Sequence, residues 1–163
     1  MLSYRHAFHA GNHADVLKHI ILLQIAEYMS EKPAPFWIID THAGAGRYAL
    51  DSTHANKLAE YSDGVGRLWD KKGLPPAAVD YLEFIKMLNP DGQLKNYPGS
   101  PWLASQMLRD SDRLRLYELH STDIKHLQEL FKNAGRQIAV SHSDGFAGLK
   151  ALLPPPPRRA LVL

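Results

Sequence analysis

An acid, a histidine and two glycines follow one another in Asp40-Thr41-His42-Ala43-Gly44-Ala45-Gly46, directly behind the apolar run Phe36-Trp37-Ile38-Ile39. Four large hydrophobic residues, two of them β-branched, predict a strand buried on both faces. The glycines behind it let the backbone turn sharply and approach a ligand with no Cβ in the way. A strand that ends in an acid and opens into such a loop describes a nucleotide-type pocket at the carboxyl end of a parallel sheet. An enzyme is therefore the leading reading. Gly44-x-Gly46-x-x-Ala49 also fits the dinucleotide fingerprint, so a nicotinamide- or flavin-dependent oxidoreductase is an alternative. That fingerprint should run straight into a helix, whereas Arg47-Tyr48-Ala49-Leu50-Asp51-Ser52 moves into polar, loop-like sequence. It also wants an acid about 20 residues further on, and the nearest, Asp63, lies in the turn-like Tyr61-Ser62-Asp63-Gly64.

Two further strand ends carry chemistry. Glu118 closes the apolar segment Leu114–His120, and Asp144-Gly145 follows Gln137–His142. An acid at the end of a second strand is the usual partner of ribose hydroxyls. An acid after the third can accept from an exocyclic amine. Asp40 with His42, Glu118, and Asp144 with Gly145 therefore fall on one edge of the predicted sheet. Near the N-terminus, Tyr4-Arg5-His6-Ala7-Phe8-His9-Ala10-Gly11-Asn12-His13 combines aromatic and cationic residues suited to stacking on a base and contacting phosphate. His9 and His13 are four apart and Asp15 and His19 follow, but no glutamate base or third ligand stands at metal-motif spacing, and no metal is expected.

The elements that must position these residues read as an alternating α/β chain. Asn12 caps a helix running to about Ser30, with Asp15 three residues on in a capping-box-like arrangement. Leu17, Ile21, Ile25 and Tyr28 recur along it at helical spacing. Strands are predicted at 36–41, Leu114–His120, Gln137–His142 and Ala160–Leu163, with helices over Ser121–Asn133 and Asp144–Leu153. From residue 97 onward helix and strand alternate, which predicts a parallel sheet. Residues 48–96 break the alternation with helical segments around 54–70 and 76–88, and read as a helical insertion. The helix owed to the glycine loop is delayed to Pro98-Gly99-Ser100-Pro101, where Ser100 is placed to cap and Pro101 to occupy the first helical position. Pro154–Pro157 reads as a rigid connector.

The 163 residues suit one domain with a real core, and 45% apolar with 22% charged residues is a soluble globular composition. The longest apolar run, Ile20-Ile21-Leu22-Leu23, is far short of a membrane span, and Met1–His6 lacks the apolar core of a secretory signal. The absence of cysteine suits a cytoplasmic location. A net charge of +2 does not by itself indicate nucleic acid. More telling, five of the nine histidines fall between His6 and His42.

The segments Ser3–His19, Asp40–Tyr48 and Tyr97–Pro101, with Glu118-Leu119-His120 and Ser143-Asp144-Gly145-Phe146 behind them in order, resemble the ribosomal large-subunit methyltransferase J family. The resemblance covers the whole chain. It implies a Rossmann-like class I methyltransferase core and S-adenosylmethionine-dependent methylation of an adenine N6 amine in 23S rRNA. It places His19, His42, Ser100, Glu118, Asp144 and Gly145 around the cofactor, Tyr4 against the substrate RNA, and His6 and Lys18 close by. A monomer acting on 23S rRNA largely free of ribosomal proteins, with no membrane partner, is the implied setting. The family's catalytic Asp-Pro-Pro-Tyr motif follows the fourth strand, and this sequence ends at Leu163 within that strand. The expectation is thus a core incomplete at its C-terminus, with no catalytic residue inside the chain and no turnover by these residues alone. An RNA-binding module without turnover is the alternative from a different class.

Overall fold

A computed structural model describes residues 6–52 and 59–163. Helix α1 spans His13–Ser30, strand β1 Trp37–Asp40, β2 Arg47–Ala49, the one-turn helix α2 Gly66–Trp69, α3 Pro76–Met87, β3 Asn96–Pro98 and α4 Ser100–Gln106. Then follow β4 at Arg113–Tyr117, α5 at Asp123–Leu130, β5 at Ile138–Ser141, α6 at Gly145–Leu152 and β6 at Ala160–Val162. The order β5-β4-β1-β6 forms a four-stranded sheet in which every pairing is parallel. β1 lies inside it, paired to β4 and β6, so Ile38 and Ile39 are wholly buried, as a run of large apolar residues requires. No helix among the described residues is long and apolar enough to cross a membrane.

Between β1 and α4 the chain departs from simple alternation. Arg47–Ala49, read from sequence as loop, is a strand, because Tyr48 pairs antiparallel with Tyr97 and both rings are buried. Three residues carry too little periodicity to announce such a strand; a partner about fifty positions away creates it. The single helix expected around 54–70 is also not formed as one element. Residues 53–58 lie outside the described residues, and beyond them come a 3₁₀ turn at Glu60–Ser62 and the short α2. Gly64 at their junction packs so tightly that an added Cβ would meet the Gly11 carbonyl at 2.0 Å. α3 matches its expected range and buries Tyr81, Leu82 and Ile85 against Leu22, Leu23, Tyr97 and Leu103.

Helix α1 begins as its sequence predicts, with the Asn12 side chain accepting from the Asp15 amide at 3.0 Å. Its buried face is different from its apolar one. Leu17, Ile21, Ile25 and Tyr28 are 62%, 47%, 38% and 65% exposed, while Asp15, His19, Leu22, Leu23 and Ala26 face inward. A polar inward face is tolerated because Asp15 and His19 Nδ1 find partners there.

One ion pair ties three element ends together. Asp112, fully buried ahead of β4, accepts from the Phe36 amide at 2.9 Å, the Arg109 amide at 3.0 Å and the Arg109 guanidinium at 2.8 Å. The same guanidinium donates to the carbonyls of Ser30, Lys32 and Ala34 at the exit of α1. Burial alone would raise the Asp112 carboxyl, but the Arg109 hydrogen bond and the two amides outweigh it and hold it below the ordinary carboxylate value of 3.8. A carboxyl depressed in the fold contributes stability above its unfolded value and loses it as pH falls. Asp112→Ala is therefore expected to lower stability by about 2–4 kcal/mol near neutrality. Urea melts should show the gap to wild type closing as pH falls below about 4; a gap independent of pH would contradict the ionic role.

Candidate active site

The carboxyl ends of β1, β4 and β5 open into a cleft of about 560 Å³, with α1 as its remaining wall. Its lining includes His6, Lys18, His19, His42, Ser100, Glu118, Asp144 and Gly145, eight of the nine residues that the family resemblance assigns to cofactor or RNA. The ninth, Tyr4, lies outside the described residues. The volume is within the range of ordinary small-molecule sites.

Asp40 anchors the cleft floor. It is 3% exposed; Oδ2 accepts from the Ser100 hydroxyl at 2.6 Å and Oδ1 from the His42 amide at 3.1 Å. Burial pushes its carboxyl above the usual range, against the pull of the Ser100 hydroxyl. The cap of α4 is accordingly not Ser100 but Gly99, whose backbone is extended; Ser100 occupies the first turn and spends its hydroxyl on Asp40. Sequence spacing alone could not distinguish a serine that caps its own helix from one that satisfies an acid sixty residues away.

The glycine loop is shaped by close approach. Gly44 has φ +63°, and a Cβ there would lie 2.3 Å from the buried Tyr48 hydroxyl. Its amide donates to Glu118 Oε2 at 2.7 Å, while Glu118 Oε1 accepts from the His120 amide at 2.6 Å. Each carboxylate oxygen thus uses one acceptor position on the backbone and keeps another for a ligand. Asp144 caps α6, with Oδ1 accepting from the Ala147 amide at 2.8 Å. Gly145 seats that helix on β1: an added Cβ would sit 2.1 Å from the Thr41 carbonyl. The fingerprint acid Asp63 is instead a surface residue paired with Arg67 at 2.7 Å.

At the α1 wall, His6 Nε2 lies 2.8 Å from Asp15 Oδ2, which also accepts from the Gly11 amide at 3.0 Å. Burial would raise Asp15, but the His6 hydrogen bond, the neighbouring histidines and the Gly11 amide outweigh it and hold the carboxyl below its usual range. The capping-box partner expected at this position therefore reaches Gly11 and His6, not the Asn12 amide. His9 bonds Glu60 at 3.0 Å. His19 is buried with Nδ1 2.9 Å from the Tyr97 hydroxyl, which lies 2.8 Å from that of Tyr81. Among the described residues, His19 Nε2 has no hydrogen-bond partner although it is buried. An orphaned buried nitrogen on the wall of a cleft calls for a ligand atom. These tyrosines were not singled out from sequence, since a buried tyrosine on an apolar periodicity reads as core.

A family model described as "Ribosomal RNA large subunit methyltransferase D, RlmJ" matches residues 33–163. The Escherichia coli protein named ribosomal RNA large subunit methyltransferase J is 50% identical over 163 residues, covering 100% of this chain and 58% of that protein. The Haemophilus influenzae protein of the same name is 48% identical over 164 residues, again 100% of this chain and 58% of the relative. A crystal structure of a Legionella pneumophila protein superposes with TM-score 0.85 at 40% identity, covering 94% of this chain and 56% of that one. The chain thus spans a little over half the length of these relatives, and at this identity the parallel sheet and its helices are those of a Rossmann-like methyltransferase.

The Asp40–Ser100 contact yields a direct test. Removing the hydroxyl takes away a donor that favours the ionised acid, so Asp40 in Ser100→Ala should titrate at higher pH than in wild type. Carbon-detected NMR of the aspartate carboxyls reads this shift; an unchanged Asp40 curve would mean the hydroxyl does not stabilise the charge.

Proposed function

Because the chain belongs to the ribosomal RNA large subunit methyltransferase J family, we propose that its cleft binds S-adenosylmethionine for methylation of an adenine N6 amine in 23S rRNA. The observation that carries this reading is Glu118, held by Gly44 and His120 with both oxygens still able to accept. A carboxylate so fixed at the end of the second sheet strand suits the two hydroxyls of a ribose. The orphaned His19 nitrogen and the Cβ-free approach at Gly44 also fit a compact nucleoside ligand. His19, His42, Ser100, Glu118, Asp144 and Gly145 would hold it. When bound, S-adenosylmethionine supplies an electrophilic methyl group.

The chain's own contribution is to bind, orient and exclude water. Ser100 and the His42 amide keep Asp40 from intruding on the floor as an unsatisfied charge. His6, braced by Asp15, and Lys18 line the cleft where an RNA base and its phosphate would approach, and Tyr4 is assigned to the RNA by the family resemblance. The target adenine must leave its stack to reach such a cleft. Its amine lone pair is delocalised into the ring, so alignment with the methyl group and an acceptor for the amine hydrogens are both required.

The nicotinamide reading is disfavoured by the glycine loop itself. β2 follows it, and the helix that a dinucleotide pyrophosphate would need at that point begins only at Ser100. An RNA-binding module without turnover would leave the cleft without a nucleoside ligand. Calorimetry with S-adenosylmethionine and with NAD separates the three readings: the first should bind and the second should not. Glu118→Ala should weaken the first by about 1–3 kcal/mol, and unchanged affinity in a folded variant would remove Glu118 from the site. In a family-length protein carrying these residues, Tyr4→Ala should lower methyl transfer to undermodified 23S rRNA by about 10–100-fold while leaving cofactor affinity nearly intact; a matching loss of cofactor affinity would make the segment structural instead.

A further inference from the structure

The protons of the buried Tyr81–Tyr97–His19 chain can be arranged in two ways. In one, Tyr81 donates to Tyr97 and Tyr97 donates to His19 Nδ1. In the other, His19 Nδ1–H donates to Tyr97 and Tyr97 donates to Tyr81. Tyr81 is 0% exposed, and its hydroxyl bonds only Tyr97 among the described residues. The second arrangement therefore strands the Tyr81 hydrogen in the core with no acceptor, a costly state. The first satisfies every hydroxyl hydrogen and leaves one buried polar atom unmatched, His19 Nε2, whereas the second leaves both the Tyr81 O–H and the bare Nε2 without a partner among the described residues. It also makes Nδ1 an acceptor, so the hydrogen of the neutral ring must sit on Nε2. Burial drives His19 down to about 3, with the Asp15 charge opposing only in part, so the ring is neutral near pH 7. The ring lies nearly parallel to that of Tyr97, with centroids 5.7 Å apart, which limits its freedom to turn over.

His42 is fixed in the opposite sense. The Thr41 hydroxyl lies 2.6 Å from the Leu163 carbonyl and must donate to it, because that oxygen can only accept. Thr41 Oγ1 is then the acceptor for His42 Nδ1 at 2.9 Å, so Nδ1 carries the hydrogen and Nε2 of His42 is the acceptor. The cleft thus meets its ligand with a donor on one histidine and an acceptor on the other. Of the acids lining the cleft, Glu118 and Asp144 follow β4 and β5, Asp123 opens α5, and Asp15 lies on α1 already engaged by His6 and the Gly11 amide, while His42 follows β1 and Lys18 and His19 lie on α1. Glu118, Asp123 and Asp144 repel a carboxylate, and Lys18 attracts it.

We propose that the Tyr81–Tyr97 hydroxyl pair locks His19 as the Nε2–H tautomer, so that the α1 wall presents a fixed donor to the carboxylate of the methyl donor's amino-acid end. The tautomer lock stands on the hydrogen-bond chain; its ligand rests on the methyltransferase reading above. Tyr97 is the positioning residue, and Tyr81 strengthens it by donating to its oxygen.

Long-range proton–nitrogen NMR of histidine-labelled protein tests the lock without ligand. Wild type should show His19 protonated on Nε2 alone, Tyr81→Phe should keep that pattern, and Tyr97→Phe should give a mixture. A wild-type hydrogen on Nδ1, or a folded Tyr97→Phe protein with an unchanged pattern, overturns the lock. The ligand is tested by titrating S-adenosylhomocysteine and 5′-methylthioadenosine, which shares the nucleoside but lacks the amino-acid end. Tyr97→Phe should weaken the first by about tenfold and leave the second unchanged. Equal losses overturn the carboxylate assignment. Failure of wild type to bind either overturns the cofactor reading, and the ligand with it, while the wild-type tautomer still decides the lock.

Discussion

A buried carboxylate at the end of an interior strand is the constraint around which this molecule is arranged. Asp40 sits at the last position of β1, 3% exposed, where a charge without donors would be expelled or neutralised. Its donors come from two directions: the His42 amide, which obliges the chain to turn at once, and the Ser100 hydroxyl, which obliges α4 to start beside the same strand end. The long excursion between β1 and α4 must therefore return to its point of departure. It does so through β2 and β3, which pair antiparallel and bring Gly99 against the Gly46 carbonyl at 2.9 Å. The cleft is the space left by this closure.

The same closure explains why α1 turns a polar face inward. Tyr97 arrives on β3 and Tyr81 on α3, and their hydroxyls need partners once buried. His19 meets that need, and Asp15 one turn earlier receives Gly11 and His6. Hydrogen bonding thus sets the rotation of α1, and Leu17, Ile21, Ile25 and Tyr28 are carried to the exposed side. The network that orients the helix also orients His6 and His19 on the cleft wall.

Much of this was legible in the chain. Phe36–Ile39 followed by Asp40-Thr41-His42-Ala43-Gly44 determined a strand end and a turn, because a large apolar run must be buried and glycine behind it lets the backbone reverse. The alternation after residue 97 determined a parallel sheet, and Asn12 determined where α1 starts. Strand-end acids at 40, 118 and 144 had to share an edge once the sheet was parallel, since its strands all end on one side. What only the tertiary structure decided was partnership. Ser100 serves Asp40 and not its own helix; Arg47–Ala49 is a strand because Asn96–Pro98 lies beside it; Tyr81 and Tyr97 form a hydroxyl chain ending on His19. Local sequence fixes backbone preference and the periodicity of each element. Which polar group meets which, and hence which face of a helix is inside, depends on contacts across sixteen to seventy-eight positions that no local pattern encodes.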